Sequence, residues 1–156
     1  MSYAERVLQP GETIVYEARI HWIVYLGGIA LVIAAVVLAI AAVALQGDAV
    51  RIGLMAAAAL ALLIGLFQML RAWIKVAGTE ITVTSRRVIY KRGMISRNTL
   101  EMNLDKVESV LVQQSLLGRM LDFGTVIVRG VGAGLEPVDQ VAKPLELHRN
   151  IGAPAA

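Results

Sequence analysis

Two long hydrocarbon stretches followed by alternating polar and apolar positions set the plan of this chain. From Trp22 to Leu45 no side chain is charged. These 24 residues make a helix of roughly 36 Å, enough to cross a hydrocarbon core of about 30 Å with some tilt. From Ile52 to Leu70 the pattern repeats, broken only by Gln68, and its 19 residues give roughly 28 Å. Only Gln46, Gly47, Asp48, Ala49, Val50 and Arg51 separate the two, so they are expected to form an antiparallel transmembrane hairpin with a tight turn. Gly27, Gly28, Gly53 and Gly65 are of the small kind that lets helices approach closely in lipid, although alanine-rich filler would look the same. A cleaved signal peptide is not expected, because a more polar, acid-containing segment of about twenty residues comes first and the run exceeds an apolar signal core of about 7 to 15 residues. Two buried core helices are also disfavoured: the chain after the hairpin, about 80 residues, has too little surface to wrap both.

After Gly78 the period changes. Ile81 and Val83 alternate with Thr82 and Thr84, the pattern of a half-buried strand. Between Thr99 and Asp105, Leu100, Met102 and Leu104 share one face, and Thr99, Glu101, Asn103 and Asp105 share the other. Further strands are expected over Val88 to Arg92, Val107 to Gln113 and Thr125 to Gly130, divided by turn formers around Ser85, Gly93, Asn98 and Asp105. Leu116 to Leu121 suggests one helical turn closed by Gly124. Pro144 suits the first turn of a final helix over Leu145 to Ile151, where its missing N–H costs nothing. Short connections imply an antiparallel meander, either a small barrel or a sandwich, with a helix packed on it.

Composition and charge place this plan in a membrane. Hydrophobic residues make up 57% of the chain, too many for an ordinary soluble domain of this size. The short loop between the spans carries Arg51 alone. The other side carries Arg6 and Arg19 before the first span and Arg71, Lys75, Arg86, Arg87, Lys91 and Arg92 after the second. Both termini are therefore expected to be cytoplasmic. Trp22, Tyr25 and Trp73 suit the interfacial belt on that side, with Arg71 and Lys75 reaching back to headgroups. The absence of cysteine excludes disulfides, thiolate chemistry and cysteine-based zinc sites.

Several segments, in order, resemble bacterial pleckstrin-homology-like proteins of the YdbS and YdbT type. They are Thr82-Val83-Thr84-Ser85-Arg86-Arg87-Val88-Ile89-Tyr90, Lys91-Arg92-Gly93-Met94-Ile95-Ser96-Arg97, Met102-Asn103-Leu104-Asp105-Lys106-Val107-Glu108-Ser109-Val110 and the run from Gln114 to Val126. Outside them, Pro10-Gly11-Glu12, His21-Trp22 and Pro144-Leu145-Glu146 also match the family pattern, whereas Asn103 stands where the family commonly has proline. The resemblance implies an α+β membrane protein of the bacterial inner membrane. In it a two-helix transmembrane hairpin precedes a seven-stranded, orthogonally packed antiparallel β-barrel capped by the C-terminal helix. It implies no settled activity. The expected divisions are an N-terminal cytoplasmic segment (1–20), the hairpin (21–75, with spans about 22–45 and 52–74), the pleckstrin-like domain (76–152) and a tail (153–156).

Between Arg71 and Arg97 there are seven cations, Arg71, Lys75, Arg86, Arg87, Lys91, Arg92 and Arg97, against one acid, Glu80. Beside a membrane each is worth about 1 kcal/mol toward anionic headgroups. The same density also serves as a topology signal and keeps a strand edge from pairing with other chains. Arg86 and Arg87 fall in the first strand turn, where eukaryotic pleckstrin domains bind phosphoinositides; a module already tethered by two spans gains little from recruitment by lipid, so these two are expected only to orient it on anionic lipid. Gly130, Gly132 and Gly134 lack the helix and lysine of a phosphate loop. His21 and His148 lack metal spacing, and no serine–histidine or paired-carboxylate arrangement is visible. With only Gln68 polar in the spans, no ion path is expected.

The function expected is a membrane-anchored, non-enzymatic binding or scaffold module without cofactor or metal. Its partners would be membrane lipids, a protein or further copies of itself, and not nucleic acid. The alternatives are an anionic-lipid sensor and an accessory subunit of a membrane enzyme or transporter.

Overall fold

The computed structural model describes residues 3–45, 47–94, 98–131, 133–134 and 137–152. In chain order the elements are α1 (Tyr3–Val7), β1 (Ile14–Ala18), a 3-10 turn (Trp22–Tyr25), α2 (Leu26–Ala44), α3 (Asp48–Gly78), β2 (Thr79–Thr84), β3 (Arg87–Arg92), β4 (Asn98–Asn103), a second 3-10 turn (Leu104–Lys106), β5 (Val107–Gln113), α4 (Leu116–Met120), β6 (Phe123–Gly130), β7 (Ala133–Gly134), β8 (Val138–Ala142) and α5 (Pro144–Gly152). Contacts divide them into two units: Trp22–Ile74, and the flanking Met1–His21 with Lys75–Ala156.

The helical unit is built by the uncharged runs. α2 ends where Leu45 turns extended, its N–H bonded to Ala41 O at 3.0 Å. Gly47 then adopts φ +120°, a left-handed conformation that favours glycine. Gly47 O accepts the Arg51 N–H at 3.0 Å, opening α3 with Asp48 at its positive end. The two helices meet through glycine. A Cβ at Gly28 would lie 2.6 Å from Met69 Cγ and 3.0 Å from Gly65 O, and one at Gly65 would lie 3.1 Å from Gly28 O. A Cβ at Gly53 would meet nothing within 4 Å, so Gly53 takes no part in this contact. Elsewhere the apolar side chains face outward: Val43 is 75% exposed and Ile52 70%. Only 17% of the apolar window of the first helix and 11% of that of the second is buried.

The sheet unit contains two antiparallel four-stranded sheets. One runs β1-β2-β3-β4; the other runs β5-β6-β7, with β8 also paired to β6. Among the described residues one isolated bridge, Ile20 to Val141, joins the chain after β1 to β8. Val83, Val88, Ile89, Val126, Val128 and Val141 fill the interior, and α5 contributes Leu147 and Ile151 while packing on β1, β2, β5 and β6. β2 departs from simple alternation. Thr82 and Thr84 are as buried as Ile81 and Val83; at Thr84 the cover is the Glu12 side chain of the N-terminal segment, which accepts its hydroxyl.

The closed seven-stranded barrel implied by the resemblance is not formed. Among the described residues there are eight strands in two open sheets, and β4 carries no ladder with β5. Closure would need those two to pair, but the backbone groups at their junction are engaged elsewhere. Leu104 N–H bonds Arg86 O at 3.0 Å, and Lys106 O accepts the Val131 N–H at 3.1 Å. Asn103 leads into this junction at φ −61°, the angle a proline would impose, so its presence does not alter the turn.

Candidate functional site

Three places in the sheet unit concentrate side-chain chemistry. The first is a clamp that holds the N-terminal segment. Pro10 and Gly11 make a tight turn, Gly11 at φ +79°, closed by Glu12 N–H to Gln9 O at 2.9 Å. The Glu12 side chain that this turn delivers is wholly shielded from solvent. Arg87 grips it with two prongs, Nε to Oε1 at 2.9 Å and Nη2 to Oε2 at 2.7 Å. Thr84 Oγ1 donates to Oε1 at 2.6 Å and Gln9 N–H to Oε2 at 2.9 Å. The Arg87 hydrogen bonds, joined by those of Thr84 and Gln9, outweigh burial and lower the Glu12 pKa from 4.5 to about 2. The same bond to Glu12 raises the Arg87 pKa. Arg87 also reaches Glu101 at 2.7 Å and Val7 O at 3.1 Å. The Thr84 hydroxyl in turn accepts the N–H groups of Arg86 and Arg87 at 3.2 and 3.0 Å, fixing the β2–β3 turn.

Of the seven cations singled out by sequence, the five described in the sheet unit, Lys75, Arg86, Arg87, Lys91 and Arg92, are spread over different places. Arg87 is consumed by the clamp, while Arg86 stands exposed beside it in the turn. Lys91 faces Glu80 across the β2–β3 pair with Nζ to Oε2 at 3.6 Å. Arg92 is exposed at the end of β3. These two lie at the opposite end of the hairpin from Arg86, a strand length of roughly 17 Å away. Lys75 Nζ donates to Gln140 Oε1 at 3.0 Å. Arg71 belongs to the helical unit, its guanidinium 5.7 Å from the Phe67 ring centre. Arg97 lies outside the described residues.

The second place is where the chain leaves the sheet unit. His21 and Lys75 are the residues on either side of the helical unit, and both are held by Gln140. His21 N–H bonds Gln140 O at 2.6 Å, and Lys75 takes the Gln140 side chain. Gln140 sits at φ +62°, an uncommon conformation for a residue with a side chain. The His21 ring stacks on Phe123, with centres 5.3 Å apart. α4 adjoins this point: Gln114 Nε2 donates to Phe123 O at 3.2 Å, and a Cβ on Gly118 would lie 2.6 Å from that same oxygen.

The third is the open seam, where Leu100, Glu101, Met102, Asn103, Lys106 and Val131 line a cleft of about 250 Å³. Among the described residues no three His, Asp or Glu side chains come together in a metal-binding group. Sequence reasoning missed Glu12 and Gln140. The Pro-Gly-Glu turn was a visible signal for the first; nothing in the sequence marked the second.

In comparison with known proteins, a family model described as bacterial PH domain matches residues 19–154. No curated protein and no solved structure matches the chain.

Proposed function

Because this chain belongs to the bacterial PH domain family, we propose that it is a membrane-anchored binding or scaffold module without catalytic function, held at the cytoplasmic face of a bacterial inner membrane. It would act there through contacts with a protein partner or with copies of itself. The YdbS and YdbT branch of the family is part of the proposal, supported by the ordered motifs from Thr82 to Val126.

The observation that carries the reading is the exposure of the two long apolar helices. In water, side chains such as Ile40, Val43, Ile52 and Leu63, each at least 63% exposed, would form an apolar surface far larger than a soluble monomer shows. In lipid they need no partner. The sidedness rests on the cations, with Arg51 alone in the first turns of α3 and Arg71 and Lys75 near its other end, where the cations of β2 and β3 follow in sequence. Protein contact is favoured by the edges of β4 and β5 that no strand pairs among the described residues, and by the cleft beside them. A contribution from anionic lipid is favoured by Lys75, Lys91 and Arg92, which lie at the end of the sheet unit where α3 passes into β2. Arg86 stands at the far end of that hairpin.

Extraction of native membranes with alkaline carbonate tests the anchor. The full chain should remain in the pellet and be released only by detergent; release by carbonate would refute membrane insertion.

A further inference from the structure

α4 is a conspicuous break in an otherwise orderly surface. Leu116 and Met120 are each 81% exposed, Leu117 65% and Leu121 42%. Residues four apart share a helix face, so Leu116 with Met120 and Leu117 with Leu121 form adjoining apolar rows. Gly118 turns the other side inward, where its contact with Phe123 O leaves no room for a side chain. The Ser115 hydroxyl caps the helix by accepting the Gly118 N–H at 3.1 Å. The apolar rows are thus presented by a fixed turn, and they contribute nothing to the interior of the unit.

The position of this turn suggests what covers it. Asp122 and Phe123 follow Leu121 directly, and Phe123 stacks on His21, the residue before Trp22. Gln140 ties His21 and Lys75, the two points at which the chain departs for the helical hairpin, into the same neighbourhood. The cleft beside α4 is lined by Gln114, Ser115, Phe123 and Gln140. Arg119 is exposed within the turn, and Asp122 is the single acid next to it. A short apolar turn with a cation beside it, fixed within a few residues of a transmembrane segment, has the chemistry of an interfacial lipid contact.

We infer that α4 is a membrane wedge: Leu116, Leu117 and Met120 insert among the lipids at the cytoplasmic interface while Arg119 meets their phosphates. This rests on the anchored reading above. It assigns the module a second attachment to the bilayer, which fixes its orientation and leaves the seam between β4 and β5 free for a partner.

Because the chain has no cysteine, single-cysteine variants of the full protein in nanodiscs carry an environment-sensitive fluorophore at one chosen site. Met120→Cys and Leu116→Cys replace exposed side chains and leave the interior intact. Val37→Cys reports on the anchor, and Lys106→Cys on the seam. The inference expects the labels at 116, 120 and 37 to shift to the blue and to lose most of their emission to bromine-labelled lipids, with the label at 106 unaffected. A label at 37 quenched by lipid while those at 116 and 120 report water would overturn the wedge and leave the anchor standing. If the label at 37 also reports water, both fail. A blue-shifted label at 120 that lipid cannot quench would identify a protein neighbour and likewise overturn the wedge.

Discussion

Replacing Glu12 by glutamine isolates the charge in the clamp, since the amide keeps the shape but cannot hold the guanidinium as a carboxylate does. The pKa difference between 4.5 and about 2 sets an upper bound of about 3 kcal/mol on the stabilisation. Arg87 keeps Glu101 and the Val7 carbonyl and its side chain is 12% exposed, so solvent screening brings the expected loss to about 2 kcal/mol. That loss should appear first in β1, which pairs with β2 from Ile14–Thr84 to Ala18–Ile81 and is delivered to it by the Glu12 turn. Hydrogen exchange of the full chain in detergent micelles should therefore show protection over residues 14–18 falling roughly thirtyfold in Glu12→Gln. The pH dependence has a fixed sign. The folded pKa lies below the ordinary value, so the stabilisation is complete above pH 4.5 and is lost as pH falls from 4.5 toward 2. Glu12→Gln should lack that acid-side loss. Unchanged exchange in β1 at neutral pH would refute the clamp as the element that holds the N-terminal segment.

Thr84→Val removes the donor to Glu12 and the acceptor for two backbone N–H groups, so it should cost about 1–3 kcal/mol and raise the Glu12 pKa, measurable by carboxyl NMR titration. Gly28→Ala places a Cβ 2.6 Å from Met69 Cγ and should destabilise the helix pair by about 1–3 kcal/mol, read by unfolding in mixed micelles, whereas Gly53→Ala should be neutral. Gly118→Ala meets a backbone oxygen that a side-chain rotation cannot relieve. It should lower the melting temperature of the full chain and increase exchange around α4, and an unchanged melt would show that the turn is looser than its contacts indicate.

How much of this was legible in the sequence depended on the range of each signal. The hairpin followed from composition alone, and β4 from the alternation of Leu100 and Met102 with Thr99 and Glu101. β1 gave no such warning. It is five residues long, and its partner β2 lies beyond the whole helical unit, so its pairing is specified by contacts that no local pattern encodes. The same distance hid the clamp. Glu12 and Arg87 are 75 positions apart, and a sequence displays a cation without displaying its partner. Arg87 was therefore grouped with exposed arginines and lysines when its guanidinium is committed to structure. Strand count and closure were also beyond reach, because they turn on where the Leu104 N–H and the Lys106 carbonyl find their partners, Arg86 O and the Val131 N–H. Gln140 was invisible for a further reason: its φ of +62° is imposed by what it binds and not by its own preference.

The central claim, a cytoplasmic module on an inserted hairpin, is tested most directly by thiol labelling of the cysteine-free chain in intact cells. Asp48→Cys lies at the start of α3, next to the connection between the helices, and Ser109→Cys in the sheet unit, and both positions are exposed. An impermeant maleimide added from outside should modify Asp48→Cys at once and Ser109→Cys only after the membrane is breached. Equal labelling of the two in intact cells, or labelling of Ser109→Cys alone, would contradict the claim.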